Sequence, residues 1–135
     1  GSGDGAFVLG VMLLERKAEL GAEAAFQRAD ERGHAEGATH LGLMLQERGD
    51  MEGAIAAYQR GDARGDALGA YQYGINVEKV GGGPRDTVGA LMRAEKRGYE
   101  AATPILDQML APMPGEHPIS IKTRRDALGA ASRYE

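Results

Sequence analysis

The chain has no cysteine and no tryptophan, and only two phenylalanines and five tyrosines among 135 residues. Without cysteine there are no disulfides, no thiol chemistry and no thiolate metal sites. That is compatible with a cytoplasmic protein. With so few large aromatics, the core must be built from alanine and leucine at close helix–helix contacts. No apolar run approaches the ~18–20 residues that a membrane-spanning helix needs. Basic residues are not in excess either. Sixteen Lys and Arg against twenty Asp and Glu leave a net charge of −4, which speaks against nucleic acid or an acidic membrane as partner. What is plentiful is glycine, twenty-one residues in a chain poor in strand formers. Gly1-Ser2-Gly3 reads as the remnant of an expression tag.

The sequence repeats every 32 residues. Asp4 to Gly33 lies on Glu36 to Gly65 without a gap, and seventeen of the thirty positions are identical. Leu9-Gly10 falls on Leu41-Gly42, Met12-Leu13 on Met44-Leu45, Glu15-Arg16 on Glu47-Arg48, and Gln27-Arg28 on Gln59-Arg60. A third copy enters at Ala67 and keeps the frame through Gly74. A period of this size indicates stacked supersecondary units. The units run over 4–33, 34–65 and 66–98, with a degenerate fourth over 99–135.

Each copy predicts two helices. In the second, Ala38, Leu41 and Leu45 recur on one helical face. Asp50 follows the break at Gly49 as an N-cap. Met51, Ala54, Ile55 and Tyr58 then form a second face, which Gly65 closes as a left-handed cap. Gly33 and Gly98 take the same place in their copies. In the first copy the turn Lys17-Ala18-Glu19 has no good breaker, so its boundary is open. The third copy is one residue longer and turns through Val80 to Asp86. Beyond Gly98, Pro104 is tolerated only in the first turn of a helix or at a kink. Ala111 to Pro118 reads as a loop and Ser120 to Glu135 as a terminal helix. Gly10, Gly42 and Gly74 sit mid-helix, where glycine costs roughly 1 kcal/mol against alanine. Recurrence at one repeat position predicts a neighbouring helix that leaves no room for a Cβ.

These residues carry a resemblance. The sequence of small residue, Leu-Gly, aliphatic, alanine, aromatic, alanine runs as Ala6, Leu9-Gly10, Leu13, Ala22, Phe26, Ala29 in the first copy. It runs as Ala38, Leu41-Gly42, Leu45, Ala54, Tyr58, Gly61 in the second and as Ala70, Tyr73-Gly74, Val77, Thr87, Leu91, Ala94 in the third. It resembles the tetratricopeptide repeat, and more closely the Sel-like subfamily, whose junction is similar to Gly33-His34-Ala35-Glu36-Gly37-Ala38. The resemblance covers 4–98 well and the remainder poorly. No large aromatic stands at Ala6, Ala38 or Ala70, and the usual proline near the repeat end is missing. It implies an all-α fold, a short right-handed α-solenoid of about seven or eight helices. It also implies a scaffold or adaptor that binds peptides or proteins in a concave groove without chemistry of its own.

Catalytic and metal readings fare poorly. His34, His40 and His117 are the only histidines, and six residues separate the first two, which is not a one-face pair. Gly81-Gly82-Gly83-Pro84 lacks the lysine and the strand of a phosphate loop and reads as a turn. Glu15/Arg16, Glu47/Arg48, Asp30/Arg32 and Asp62/Arg64 recur at equal positions, as solvated helix ends and inter-repeat salt bridges do. Exposed pairs of this kind contribute ~0–1 kcal/mol each. Lys122, Arg124 and Arg125 read as a solvated helix start. The expectation is a non-enzyme with no metal and no cofactor.

The binding face is placed on the first helix of each unit, one turn around from the packing face. It comprises Phe7, Val11, Leu14 and Glu15, then Thr39, Leu43, Gln46 and Glu47, then Tyr71, Ile75, Glu78 and Lys79. Here the copies diverge, as a surface tuned to a non-repeating ligand would, although free drift of exposed positions gives the same scatter. Several of these residues are apolar, which makes a binding stripe where they are exposed. The Lys/Asn clamp for a C-terminal carboxylate is absent. The expected function is a protein–protein interaction module for a peptide or protein segment. The alternatives are self-association as a homodimer and a regulatory repeat domain of a larger enzyme or signalling protein.

Overall fold

The computed structural model describes residues 3–112, 114, 115 and 120–132. The described residues form eight α-helices: α1 (Gly3–Glu15), α2 (Glu19–Glu31), α3 (Ala35–Glu47), α4 (Met51–Ala63), α5 (Ala67–Asn76), α6 (Pro84–Lys96), α7 (Ala102–Leu110) and α8 (Ile121–Ser132). A 3₁₀ turn over Val77–Val80 follows α5. The fold is all-α. Helices pack in sequential pairs, α1 on α2, α3 on α4 and α5 on α6, and each pair rests on the next. Ala111 and Pro112 are non-helical, as expected of the loop, while Met113, His117 and Arg133 to Glu135 lie outside the described residues.

The helix ends follow from local chemistry. His34, Asp50 and Asp66 cap α3, α4 and α5 by accepting the backbone N–H of Gly37, Gly53 and Gly69 at 2.9, 3.0 and 3.0 Å. Gly33, Gly65 and Gly98 adopt φ of 81°, 99° and 96°, which closes the second helix of each pair. The uncertain turn of the first unit resolves at Lys17, whose φ is 61°. The equivalent positions in the next units are Gly49 and Gly81, with φ of 91° and 92°. The conformation is kept along the array even where its glycine is not. Pro104 falls in the first turn of α7, where its missing N–H has no intrahelical partner to lose.

Within each pair the mid-helix glycine admits the ring or branched side chain of its partner helix. A Cβ on Gly10 would lie 2.5 Å from the Phe26 ring, and one on Gly42 would lie 2.6 Å from the Tyr58 ring. One on Gly74 would lie 3.0 Å from Leu91. Phe26, Tyr58 and Leu91 are completely buried, the equivalent residue in three units. Each such burial is worth about 1.5–3 kcal/mol. One cluster joins Ala22, Phe26, Leu41 and Met44, and another joins Ala70, Leu91, Ala94, Ala102 and Leu106.

Successive pairs are joined by charge as well. Asp30 on α2 is gripped by Arg60 of α4 (2.7 Å) and by Arg64 at its C-cap (2.8 Å). Asp62 on α4 is gripped by Arg93 of α6 (2.7 Å) and by Arg97 at its C-cap (2.9 Å). These are the inter-repeat salt bridges expected from the recurring charges; the expectation of solvated ends is corrected, because both aspartates are buried and neither pairs with the arginine two residues on in its own unit. Burial pushes the Asp30 carboxyl up, but hydrogen bonds from Arg60 and Arg64 outweigh it and hold the group below its usual value of 3.8. At the third junction Glu95 takes the aspartate's place. Thr103 donates to it at 2.6 Å and Arg125 of α8 pairs with it. Arg125, read from sequence as solvated, also reaches Asp107 at 2.8 Å.

Candidate functional site

The first helices α1, α3 and α5 lie side by side and leave an open groove of about 490 Å³. Leu14 comes from α1, and Phe26 reaches in from α2. His40, Leu43, Met44, Gln46 and Glu47 come from α3, and Gln72 from α5. The apolar part is Leu14, Phe26, Leu43 and Met44. The polar part has defined roles. The Tyr58 hydroxyl donates to Oε1 of Gln46 at 2.6 Å, which leaves the Gln46 Nε2 hydrogens for a ligand. The amide of Asn76 donates to the Gln72 carbonyl at 2.9 Å and to its Oε1 at 3.3 Å, so Gln72 likewise offers Nε2. His40 places Nδ1 at 2.9 Å from the Glu36 carbonyl. With the proton on Nδ1, Nε2 is an acceptor. Burial, and then the Glu47 carboxylate, push the Tyr58 hydroxyl up to about 12, so it stays a donor at any ordinary pH.

The sequence-derived face is partly reassembled here. Leu14, Leu43, Gln46 and Glu47 line the groove. Val11 is half-buried against the cluster of Phe26 and Leu41 instead. Glu15 and Ile75 are exposed outside the groove lining.

Phe7, Thr39 and Tyr71 do something else. Phe7 stacks on His34 with ring centroids 4.9 Å apart. Thr39 is fully buried and donates to Asp66 Oδ2 at 2.6 Å. Tyr71 packs on Tyr99 at 4.7 Å. His34, Asp66 and Tyr99 are the first residues of successive units. This repeat position therefore fastens each unit to the start of the next, and Thr39 is unavailable to a ligand.

Glu78 and Lys79 are also displaced. The first helix of the third unit ends at Asn76, and both residues sit on the 3₁₀ turn, with Lys79 donating to Asn76 Oδ1 at 2.9 Å. The Asn76 side chain occupies the Gln72 carbonyl, a local bond that competes with helix continuation.

Phe26, His40, Met44 and Gln72 belong to the groove and were missed. The signal was available in the helical period. His40, Leu43, Met44 and Glu47 fall at i, i+3, i+4 and i+7 on α3, and Gln72 is the 32-residue equivalent of His40. The sequence reading started the face at position 39 instead of 40, a rotation of roughly 100° about the helix axis.

Among the described residues no cluster of three or more His, Asp or Glu could hold a metal ion, and no helix is long and apolar enough to cross a membrane. No protein-family model matches the chain, and no curated protein matches it.

Proposed function

We propose that this chain is a peptide-binding scaffold of the tetratricopeptide type, built on the Sel-like pattern as a short right-handed solenoid with α1, α3 and α5 on its concave side. The observation that carries the reading is the groove across these three helices, where Leu14, Leu43 and Met44 lie beside the uncommitted amides of Gln46 and Gln72. An apolar floor with flanking amide donors suits an extended segment or helix that inserts one apolar side chain and offers backbone carbonyls to the glutamines. Glu47 at the rim favours a basic flanking residue.

The test is selection from a random peptide library displayed on phage. Selected peptides are expected to share an apolar anchor and a basic neighbour. Leu43→Arg should weaken them by about tenfold or more, the cost of putting a charge into an apolar contact. Leu20→Ser, an exposed change outside the groove, should leave them unaffected. Peptides that bind Leu43→Arg as tightly as the parent would overturn the proposal.

A further inference from the structure

The first two units share sequence along their first helices but not surroundings. On α3, Leu41 and Met44 are 6% and 9% exposed, packed in the cluster with Ala22 and Phe26 of the preceding unit. Their equivalents on α1, Leu9 and Met12, are 42% and 46% exposed. Val8, the equivalent of His40, is 55% exposed. Gly37 abuts the preceding unit so closely that a Cβ there would lie 2.5 Å from the Ala29 Cβ. A Cβ on Gly5, its equivalent, would meet nothing within 4 Å. Arg28 on α2 and Arg32 just after it occupy the positions of Arg60 and Arg64, which grip Asp30 of the preceding unit. Arg28 is exposed. The outer face of the first pair thus carries the stacking residues of the internal junctions: the same glycine, the same Leu and Met, the same arginines.

We propose that this face is a docking site for a helical hairpin of the same repeat type, whose second helix ends in a small residue followed by an acid. The internal junctions supply the template. Ala29-Asp30, Gly61-Asp62 and Ala94-Glu95 each place a small residue and then a carboxylate at the end of a second helix, and the next unit packs on that end. The arginine of α2 calls for the carboxylate, Gly5 leaves room for the small residue, and Leu9 and Met12 supply the apolar contact. A second copy of the chain fits less well. Its own far end, Ala94-Glu95, is already held by Thr103 and Arg125.

The face can be tested with a designed occupant. A copy of residues 34–65 joined directly to Ser2 of the full chain keeps the 32-residue register and presents Gly61-Asp62 to α1 and α2. Amides from Val8 to Met12 are then expected to exchange about tenfold more slowly or better, since helix opening must break the new contacts. Arg28→Gln should restore part of the exchange. Gly5→Ala gives a sign test. In the unmodified chain it should raise the Tm, because alanine favours a helix and nothing opposes its Cβ. In the extended chain it should lower the Tm through the clash that Gly69 avoids against the same unit, where a Cβ would lie 2.7 Å from Thr39 Oγ1 and 2.9 Å from the Asp62 backbone nitrogen. Unchanged exchange in α1, or a Tm raised by Gly5→Ala in both chains, overturns the proposal. Light scattering on the unmodified chain adds one outcome. A dimer with α1 amides already protected gives the face to a second copy and overturns the hairpin assignment.

Discussion

Arg93 forks onto the carboxylate of Asp62 through Nε at 3.0 Å and Nη2 at 2.7 Å. One unit earlier, Arg60 meets Asp30 in the same way, at 3.1 and 2.7 Å. The paired geometry makes the aspartate the centre of each junction, because one buried carboxylate satisfies two guanidinium groups. Asp62→Asn should lower stability by about 2 kcal/mol, the scale of hydrogen bonds to a charged group, since an amide cannot accept on both of its ends. Urea unfolding of Asp62→Asn, Arg93→Gln and the double variant forms a cycle. Additive effects would show that the fork contributes no coupling.

Acid should loosen these joints. Asp30 is held below 3.8 by Arg60 and Arg64 against the opposing effect of burial. Glu95 is held below 4.5 by Thr103 and Arg125, again against burial. A depressed carboxyl contributes stability that is present above its unfolded value and is lost as pH falls through its folded value. The urea midpoint should therefore hold down to about pH 4.5 and fall progressively below it. In Asp30→Asn the fall should be shallower. An equal acid dependence in that variant would remove Asp30 from the account.

Lys17 occupies a left-handed conformation that Gly49 and Gly81 occupy in the neighbouring units. A side chain there costs about 1 kcal/mol that glycine does not incur. Lys17→Gly should raise stability by about that amount, measured by thermal or urea unfolding. A loss of stability would mean that the Lys17 side chain makes a compensating contact.

Two glycine-to-alanine changes should move in opposite directions. Gly42→Ala drives a Cβ against the Tyr58 ring, which is fully buried and tied to Gln46, so the ring cannot swing away cheaply. Overpacking of this kind costs roughly 1–3 kcal/mol and outweighs the gain in helix propensity. On α6, a Cβ at Gly89 would meet only an Arg93 nitrogen at 3.5 Å, an ordinary contact. Gly89→Ala should stabilise by roughly 0.5–1 kcal/mol. Equal shifts in the two variants would count against the packing role of the mid-helix glycine.

The fold was legible wherever one helix specifies itself. The closing glycines at 33, 65 and 98 and the Asp50 cap follow from residues read within one unit, and the tight contact at Gly10, Gly42 and Gly74 from their recurrence in the 32-residue frame. What misled was the relation between units. The recurrence of Asp30 and Arg32 points to salt bridges between units, but not to which arginines, some thirty residues on, meet the aspartate, nor to its burial. Divergence at Phe7, Thr39 and Tyr71 resembled a ligand surface. It is three different ways of making one joint: a ring on histidine, a hydroxyl on carboxylate, a ring on ring. The groove was found on its Leu43, Gln46 and Glu47 side and lost on its His40 and Gln72 side by a single-residue phase error.

Each carboxylate–arginine junction has a direction: Asp30, Asp62 and Glu95 sit on the upstream unit and their guanidinium partners on the downstream one. A tandem duplication of one unit copies both halves together, so the lengthened gene encodes one new acceptor and one new pair of donors in matching register. No second mutation is required to satisfy the new seam. The third unit shows that the scheme also tolerates error in length, since its extra residue is taken up in the turn at Gly81-Gly82-Gly83 and Arg93 still meets Asp62.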